Sequence, residues 1–406
     1  MRSSTWLTLI ALLFLVSILL RLGLLFLLAV LLLLVLGVSW LWNRYCLAGV
    51  TYGRRLLQTR LFLGEEGALE VEMSNLKPLP LPWLKVEDEF PEGVTLLTGR
   101  LHAHYLPRRW WLVNLVAVRW YERVRRRYRL QGAERGVYHF GPARLSSGDI
   151  FGLARQMAEM EGVDELVVYP KVVPVTRLVL PAERPFGEFR SPRRLVEDPL
   201  QFMSVRDYVP GDPFRHMHWK ATARTWQLQT RVYEPTTTRQ LLLFLDVQTT
   251  PRVYLGYIPE YLELAVTAAA SIASHALETG YQVGLYANTA VRFARDLIRV
   301  PPSRDPAQLA NVLTALAQVT YFNHRPIEAI LEREAFRLPF GATIVVISAL
   351  QTEGLAPALL DLARTGHPVT ILTIGDERPS PIIPGVRVYP LGGRLEWHEF
   401  EKLELA

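Results

Sequence analysis

Apolar residues dominate the N-terminal part of the chain from position 6 to 42, and the main interruption is at Arg21 and Gly23. A single helix over this stretch would be roughly 55 Å long, whereas a bilayer core is about 30 Å thick. The run is too long for the apolar core of a signal peptide, and it lacks a small-residue cleavage site. The pattern predicts a transmembrane helical hairpin, with helices over about 6–20 and 24–42.

Basic residues lie mostly outside this predicted hairpin. Arg2 precedes it and Arg21 occupies its turn. Four more basic residues follow it closely: Arg44, Arg54, Arg55 and Arg60. Because the cytoplasmic flanks of membrane proteins carry an excess of lysine and arginine, both termini are expected in the cytoplasm. The sequence thus predicts an inner or plasma membrane protein whose residues 1–45 cross the bilayer twice.

Strand-like alternation replaces the helical pattern between about 60 and 175. Leu69, Val71 and Met73 alternate with polar residues, and prolines and glycines recur between such segments. Short strands separated by turns are typical of a β-sandwich. We therefore expect a β-sandwich-like, β-rich domain over residues 50–175.

Five arginines occupy seven consecutive positions of this domain: Arg123, Arg125, Arg126, Arg127 and Arg129. They suit a solvated strand face or edge, where charge discourages edge-to-edge pairing. They also suit a patch that binds anionic lipid head groups beside the membrane. A nucleic-acid interface is a third interpretation, but no aromatic ladder or recognition motif accompanies the arginines, so we expect no nucleic acid partner.

Buried-strand runs alternate with amphipathic helices from about residue 240 onward. Residues 241–245 form a continuous apolar run, as a strand buried on both faces requires. A helical pattern over 262–277 follows it, and the alternation continues to an edge strand near 386–389. This order predicts a parallel, doubly wound α/β sheet over 236–406, with helices on both faces.

A linker segment over 176–235 carries the most specific pattern in the chain. Its residues 205–225 read VRDYVPGDPFRHMHWKATART. This resembles the signature of the domain-of-unknown-function-58 family, and residues 135–153 resemble that family's second characteristic stretch. The resemblance implies a multidomain layout: a transmembrane pair, a β domain and a C-terminal von Willebrand factor A-like domain. It also implies work beside a MoxR-type AAA+ ATPase, and no enzymatic activity is established for the family.

The signature residues singled out here are charged or of rare type: Arg206, Asp207, Tyr208, Pro210, Gly211, Asp212, Arg215, His218, Trp219, Lys220 and Arg224. Their mixed charges predict a buried ionic network that locks the linker onto the sheet; a protein-docking surface and a catalytic site are the alternatives. Asp212 and Pro213 suit the N-cap and first position of a short helix. His216 and His218 do not share a helical face, which argues against a metal pair.

A metal site is the next implication of the resemblance. In a von Willebrand factor A-like domain, a D-x-S-x-S motif after the first strand helps to hold a divalent cation with hard oxygens. Here Asp246 is present, Gln248 and Thr250 stand at the two serine positions, and Ala349 stands where an aspartate is common. We expect a degenerate site, with Thr250 as the remaining possible ligand beside Asp246, and no bound cation. Asp246 would instead cap the following segment or join a hydrogen-bond network.

Composition narrows the function further. The chain has 406 residues, a net charge of +6 and one cysteine, which excludes an internal disulfide framework and a cysteine zinc cluster. It contains no G-x-S-x-G, H-E-x-x-H, Walker A or dinucleotide motif. We therefore expect no catalytic residues and no cofactor.

The predicted function is a membrane-anchored, cytoplasm-facing scaffold or adaptor that works with a MoxR-type ATPase in assembly or maturation of other proteins. An uncharacterised hydrolase, or a module that binds anionic lipid or nucleic acid, are the alternatives.

Overall fold

A computed structural model describes most of the chain: residues 12–20, 23–152, 155–176, 197–210, 212, 214–235, 239–252, 256–290, 296–339, 341–375, 383–391 and 403–404. The chain divides into two compact units, Met1–Pro170 and Lys171–Ala406.

The apolar run forms helix α1, Gly23–Tyr45, and its most apolar window has a mean hydropathy of 3.0. Among the described residues it is the one helix long and apolar enough to cross a membrane. The first predicted helix is described from residue 12 and is helical over 12–19, so the rest of it lies outside the described residues. The rings of Phe14 and Phe26 lie 5.0 Å apart. Twelve residues of continuous helix would separate them by roughly 18 Å, so the chain turns back between them. Within the residues that the structure describes, one membrane-length helix is present where the sequence predicted two spans.

The rest of the first unit consists of short strands joined by turns: β1 (Val50–Leu56), β2 (Arg60–Phe62), β3 (Glu66–Asn75), β4 (Leu81–Pro91), β5 (Val94–Leu96), β6 (Leu101–Ala103), β7 (Arg109–Val118), β8 (Arg123–Gly132), β9 (Gly136–Phe140), β10 (Ala143–Gly148), β11 (Arg155–Met160) and β12 (Asp164–Tyr169). Their sheet orders are β1-β3-β8-β5, β11-β10-β4-β7-β6 and β2-β12-β9. Alternating positions such as Leu69 and Met73 of β3 and Leu84 and Val86 of β4 share one buried apolar core. The β-rich domain predicted from alternation is thus present.

The second unit contains the remaining strands: β13 (Val175–Thr176), β14 (Glu197–Asp207), β15 (Gln229–Pro235), β16 (Gln240–Leu245), β17 (Gln282–Ala290), β18 (Leu297–Ser303), β19 (Thr343–Ser348), β20 (Val369–Thr373), β21 (Val386–Pro390) and β22 (Leu403–Glu404). Its helices are α2 (Trp219–Thr225), α3 (Pro259–Glu278), α4 (Gln308–Ala317), α5 (Ile327–Ala335) and α6 (Leu355–Arg364). Strands β14 and β15 form an antiparallel hairpin, and β13 pairs in parallel with β22.

A six-stranded sheet organises this unit, in the order β18-β17-β16-β19-β20-β21. All its neighbours pair in parallel except β18, which runs antiparallel at one edge. Helices α5 and α6 pack on the face that carries Leu242 and Phe244. Helix α3 packs on β16, β17 and β19. Since side chains alternate along a strand, α3 covers the opposite face, where Leu241 and Leu243 are fully buried. The carboxyl ends of the parallel strands therefore meet at one edge, where ligands bind in such sheets.

Candidate functional site

Asp246 directly follows β16 at this carboxyl edge, and its carboxylate is surrounded by hydrogen-bond donors. Its Oδ1 accepts from Asn288 Nδ2 at 2.7 Å and from the Gln248 amide at 3.0 Å, and its Oδ2 accepts from Ser348 Oγ at 2.7 Å. Asn288 belongs to β17 and Ser348 ends β19, so three neighbouring strands supply the cluster. The structure confirms that Asp246 caps the following segment and joins a hydrogen-bond network.

This donor set does not fit a divalent cation. Asp246 is 3% exposed, and burial raises the pKa of its carboxyl above the usual range. The three groups around it, two N–H groups and one hydroxyl, donate hydrogen bonds to the carboxylate, whereas a hard cation would need further oxygen ligands beside it. No group of three or more His, Cys, Asp or Glu residues suited to a metal occurs in the part of the chain that the structure describes.

Thr250, the other residue of the degenerate motif, serves its own loop. Its Oγ1 donates to the carbonyl of Gly256 at 2.6 Å, and the side-chain amide of Gln248 donates to the carbonyl of Thr250 at 3.0 Å. Gln248 Oε1 in turn accepts from Asn323 Nδ2 at 2.9 Å. These bonds tie the loop after β16 to the loop after α4, so the polar side chains of the motif build the edge rather than a ligand shell.

The same two loops expose a group of aromatic side chains that sequence analysis did not single out. The rings of Tyr257 and Tyr321 lie 4.2 Å apart and 1° from parallel, and Phe322 lies 4.2 Å from Tyr321. Their exposed fractions are 39%, 40% and 56%, respectively. Large aromatic rings held rigidly in solvent are enriched where proteins bind other proteins. We call Tyr257, Tyr321 and Phe322 the edge aromatics.

The family signature forms a hairpin with an inserted turn and helix, not the helix predicted from Asp212 and Pro213. A 3-10 turn spans Phe214–His216, and α2 begins later, at Trp219. His218 is its N-cap, because Nδ1 accepts from the Ala221 amide at 3.1 Å. This use of Nδ1 also gives His218 a structural role. Pro213 lies outside the described residues.

The charged residues of the signature that the structure describes lie at the surface. Arg206 pairs with Asp212 at 2.7 Å, and their side chains are 46% and 16% exposed. The Arg206 guanidinium and the Val209 amide hold the pKa of Asp212 below its usual range. Asp207 accepts from Gln229 of β15 at 2.5 Å. Lys220 and Arg224 are exposed, while Gly211 and the side chain of Arg215 lie outside the described residues. The expectation of a buried network is therefore wrong for the side chains that the structure describes, because Arg206, Lys220 and Arg224 are exposed. Solvent also weakens an ion pair of this kind.

Exposed aromatic residues stand beside these charges. Phe214, Trp219 and Trp226 are 70%, 64% and 93% exposed, whereas Met217 between them is buried. Tyr208 lies 6.0 Å from Phe214, and Pro210 sits in the turn after β14. The signature thus exposes large aromatic side chains next to its charged residues.

The basic patch lies on strand β8, and its arginines point to both faces. Arg123 and Arg125 both pair with Glu72 of β3, at 3.0 and 2.6 Å, and Arg129 pairs with Glu66. Arg127 stands opposite Glu70 in the strand register. Arg126 points the other way and donates to Asn114 Oδ1 at 2.9 Å. The arrangement is that of a solvated strand face with cross-strand ion pairs.

A buried polar cluster inside the β domain was not predicted. Arg54 of β1 pairs with Asp88 and, at 2.7 Å, with Asp164, and the Tyr52 hydroxyl donates to Asp88 at 2.6 Å. The side chains of Arg54 and Asp88 are 3% and 2% exposed. Burial raises the pKa of Asp88 to about 6. The cluster links strands of three different sheets, since Arg54, Asp88 and Asp164 belong to β1, β4 and β12.

Part of the chain is similar to known proteins. Residues 204–391 match the family model described as "Protein of unknown function DUF58". The uncharacterized protein YeaD of Bacillus subtilis is 29% identical over 242 residues, which is 59% of this chain and 56% of YeaD. The alignment therefore spans little more than half the length of that relative.

Solved structures give weaker likenesses. The CARDB domain of PF1109 from Pyrococcus furiosus matches 29% of this chain and 91% of its own, with 12% identity and a TM-score of 0.20. A cohesin module from Clostridium perfringens matches 29% of this chain and 96% of its own, with 9% identity and a TM-score of 0.21. Scores this low support no inference about function.

Proposed function

We propose that this chain, a member of the DUF58 family, is a membrane-anchored scaffold or adaptor that faces the cytoplasm and recruits a protein partner. In this proposal residues 1–45 anchor the chain, the β domain stands at the membrane, and the second unit carries the docking surface. The observation that carries the recruiting role is the group of edge aromatics, exposed on a carboxyl edge whose polar groups are satisfied.

The anchor follows from helix α1 and from the turn before it. The Phe14–Phe26 contact fits a chain that enters and leaves the bilayer on the same side. In this proposal both termini lie in the cytoplasm, at the inner or plasma membrane, and the excess of basic residues outside the hairpin supports that orientation. A reporter fused after residue 60 is expected to act as a cytoplasmic protein; an external reporter would contradict this orientation.

A von Willebrand factor A-like fold for the second unit is part of the proposal. It is supported by the sheet order, with one antiparallel edge strand, and by the aspartate that ends the first parallel strand. In this chain, the Asp246 network replaces the cation with hydrogen bonds. The edge would therefore recognise its partner through aromatic rings and shape and would need no metal bridge.

The partner proposed is a MoxR-type AAA+ ATPase, on the strength of the family resemblance. The chain would hold that ATPase at the membrane, where the ATPase acts on other proteins during their assembly or maturation. The signature aromatics Phe214, Trp219 and Trp226 offer a second exposed surface in the same unit.

The test is capture of the ATPase by the full-length chain in native detergent extracts. We expect a Tyr321→Ser/Phe322→Ser variant to lose the ATPase at least tenfold. Phe336→Ser is the matched control, because Phe336 is 95% exposed just after α5, far along that helix from the carboxyl edge. It should retain the ATPase at the unaltered level.

The outcomes separate the parts of the proposal. Loss only in a Trp219→Ser/Trp226→Ser variant would move the docking surface to the signature. Equal capture by all variants would remove the carboxyl edge from the proposal. Failure of the unaltered chain to capture any ATPase would reject the adaptor function, and turnover of a substrate by the chain alone would favour a hydrolase.

A further inference from the structure

Four connections of the β domain lie at the end that receives α1. The strand register fixes this: Val50 pairs with Asn75, Leu81 with Val118, and Gly148 with Arg155. The link from α1 to β1 and the loops after β3, β7 and β10 therefore share one end of the sandwich. We call this the helix end.

The helix end is attached to α1 at two depths. Lys77, in the loop after β3, donates to the carbonyls of Tyr45 and Ala48 at 2.7 Å, at the end of the helix. Ser39 Oγ donates to Asp149, in the loop after β10, at 2.5 Å. Ser39 precedes the last residue of α1 by six positions, or about 9 Å of helix. The loop after β10 thus reaches back along the last two turns of α1.

Those last two turns carry the residues expected at a membrane interface. Trp40 and Tyr45 are 64% and 46% exposed, and Trp42 packs partly against the β-domain core. Tryptophan and tyrosine concentrate at the level of lipid head groups. Asp149 therefore lies at the depth of this aromatic belt or just inside it, and so do the residues that immediately follow it.

Large apolar side chains are exposed in the three loops of the helix end. Ile150 and Phe151 follow Asp149 and are 64% and 50% exposed. Trp120 and Tyr121, in the loop after β7, are 65% and 68% exposed, and Leu76 after β3 is 58% exposed. The Tyr121 amide donates to the Lys77 carbonyl, so two of the loops touch. In water this exposure is unfavourable, whereas in the interface the same side chains would be buried in lipid.

We propose that the helix end is a second membrane contact, in which Ile150, Phe151, Trp120 and Tyr121 enter the interface of the phospholipid bilayer around α1. The inference rests on the membrane anchor proposed above. We choose the bilayer as the partner of this surface because α1 leads from these loops into an apolar span. The hydrogen bond between Ser39 and Asp149 holds one of the loops against that span. The β domain then sits directly on the membrane instead of hanging from a tether.

The test uses the full-length chain in nanodiscs of phosphatidylcholine and phosphatidylglycerol. Single cysteines carrying a fluorescent label replace Phe151, Trp120, Tyr105 or Leu31, in a background with Cys46→Ala to remove the one native thiol. The lipids carry a doxyl quencher close to the head group. Tyr105 is the matched control, because it is 73% exposed just after β6, whose partner residues open β7 at the other end of the sandwich. Leu31, in α1, reports insertion of the helix.

We expect at least twofold stronger quenching at positions 151 and 120 than at 105, with quenching at 31 as well. The label at 31 could be quenched while the labels at 151 and 120 are quenched no more strongly than the label at 105. That result would overturn the interfacial contact and leave the anchor intact. The same result would follow if a second copy of the chain covered these loops. No quenching at 31 would reject the anchor, and the contact with it.

Discussion

Ser39, in the apolar helix, donates a hydrogen bond of 2.5 Å to Asp149, in a loop of the β domain 110 residues later. Both residues are buried, at 5% and 2% exposure. A buried serine hydroxyl and a buried carboxylate each need a hydrogen-bond partner. The bond therefore fixes the rotation of the helix on the domain, as well as its distance.

Ser39→Ala should destabilise this joint by about 1–3 kcal/mol, because the buried carboxylate loses a donor. The free energy of unfolding is measured by denaturant titration of the full-length chain in detergent micelles. Ser39→Thr keeps the hydroxyl and is the matched control, expected to lie closer to the unaltered chain. Equal unfolding midpoints for the alanine and threonine variants would show that the hydrogen bond contributes nothing to the joint.

Asp88 should make the β domain lose stability as the pH rises through the range from about 4 to about 6. Burial raises its pKa in the folded state to about 6, from the 3.8 of an exposed aspartate, so in this range the folded state holds a proton that the unfolded state releases. The contribution of Asp88 to the free energy of unfolding is greatest below pH 3.8, the pKa of an exposed aspartate. It is lost as the pH rises past about 6, the pKa in the folded state. The difference corresponds to about 3 kcal/mol.

The measurement compares the pH dependence of unfolding of the unaltered chain with that of Asp88→Asn, which does not titrate. The Asp88 contribution is the difference between the two curves. Asp164 is the other carboxylate paired with Arg54, and the Asp164 side chain is 41% exposed. Asp164→Asn should leave most of this pH dependence in place. Parallel curves for the unaltered chain and Asp88→Asn would contradict the prediction.

Magnesium should leave the stability of the second unit unchanged, because donors already occupy the Asp246 carboxylate. We expect the same thermal unfolding temperature with excess Mg²⁺ and with chelator. Asp246→Ala should lower the free energy of unfolding by about 1–3 kcal/mol in both conditions, since Asn288 and the Gln248 amide lose their acceptor. A rise in unfolding temperature with Mg²⁺ that Asp246→Ala abolishes would show a functional cation site.

The parallel sheet was predictable because its central strands are apolar on both faces. The apolar run at 241–245 and the expected edge strand near 386–389 lie within a residue of β16 and β21. The helical pattern expected over 262–277 lies within α3. Strand β18 was not predicted, because Pro301 and Pro302 stand inside it. Prolines are tolerated there, since β18 is an edge strand and needs fewer backbone donors.

The signature shows where local rules compete. Asp212 and Pro213 satisfied the residue preferences of a helix start, yet Asp212 turns its carboxylate to Arg206 and to the Val209 amide. The helix begins six residues after Pro213, where His218 supplies the cap. A capping preference is weak compared with a charge-assisted hydrogen bond. The strand pairing that brings these groups together cannot be predicted from the spacing of neighbouring residues.

The sequence by itself determined the properties that depend on near neighbours. These are the apolar N-terminal stretch, the alternation of the β domain, and the order of strands and helices in the second unit, all of which follow from the periods of the helix and the strand. Tertiary structure alone decided the partners of the polar groups. Asp246 meets Ser348 across 102 residues, Ser39 meets Asp149, and Arg54 meets Asp88. Such pairs form because burial forces each polar group to find a partner, and the fold determines which partner is within reach.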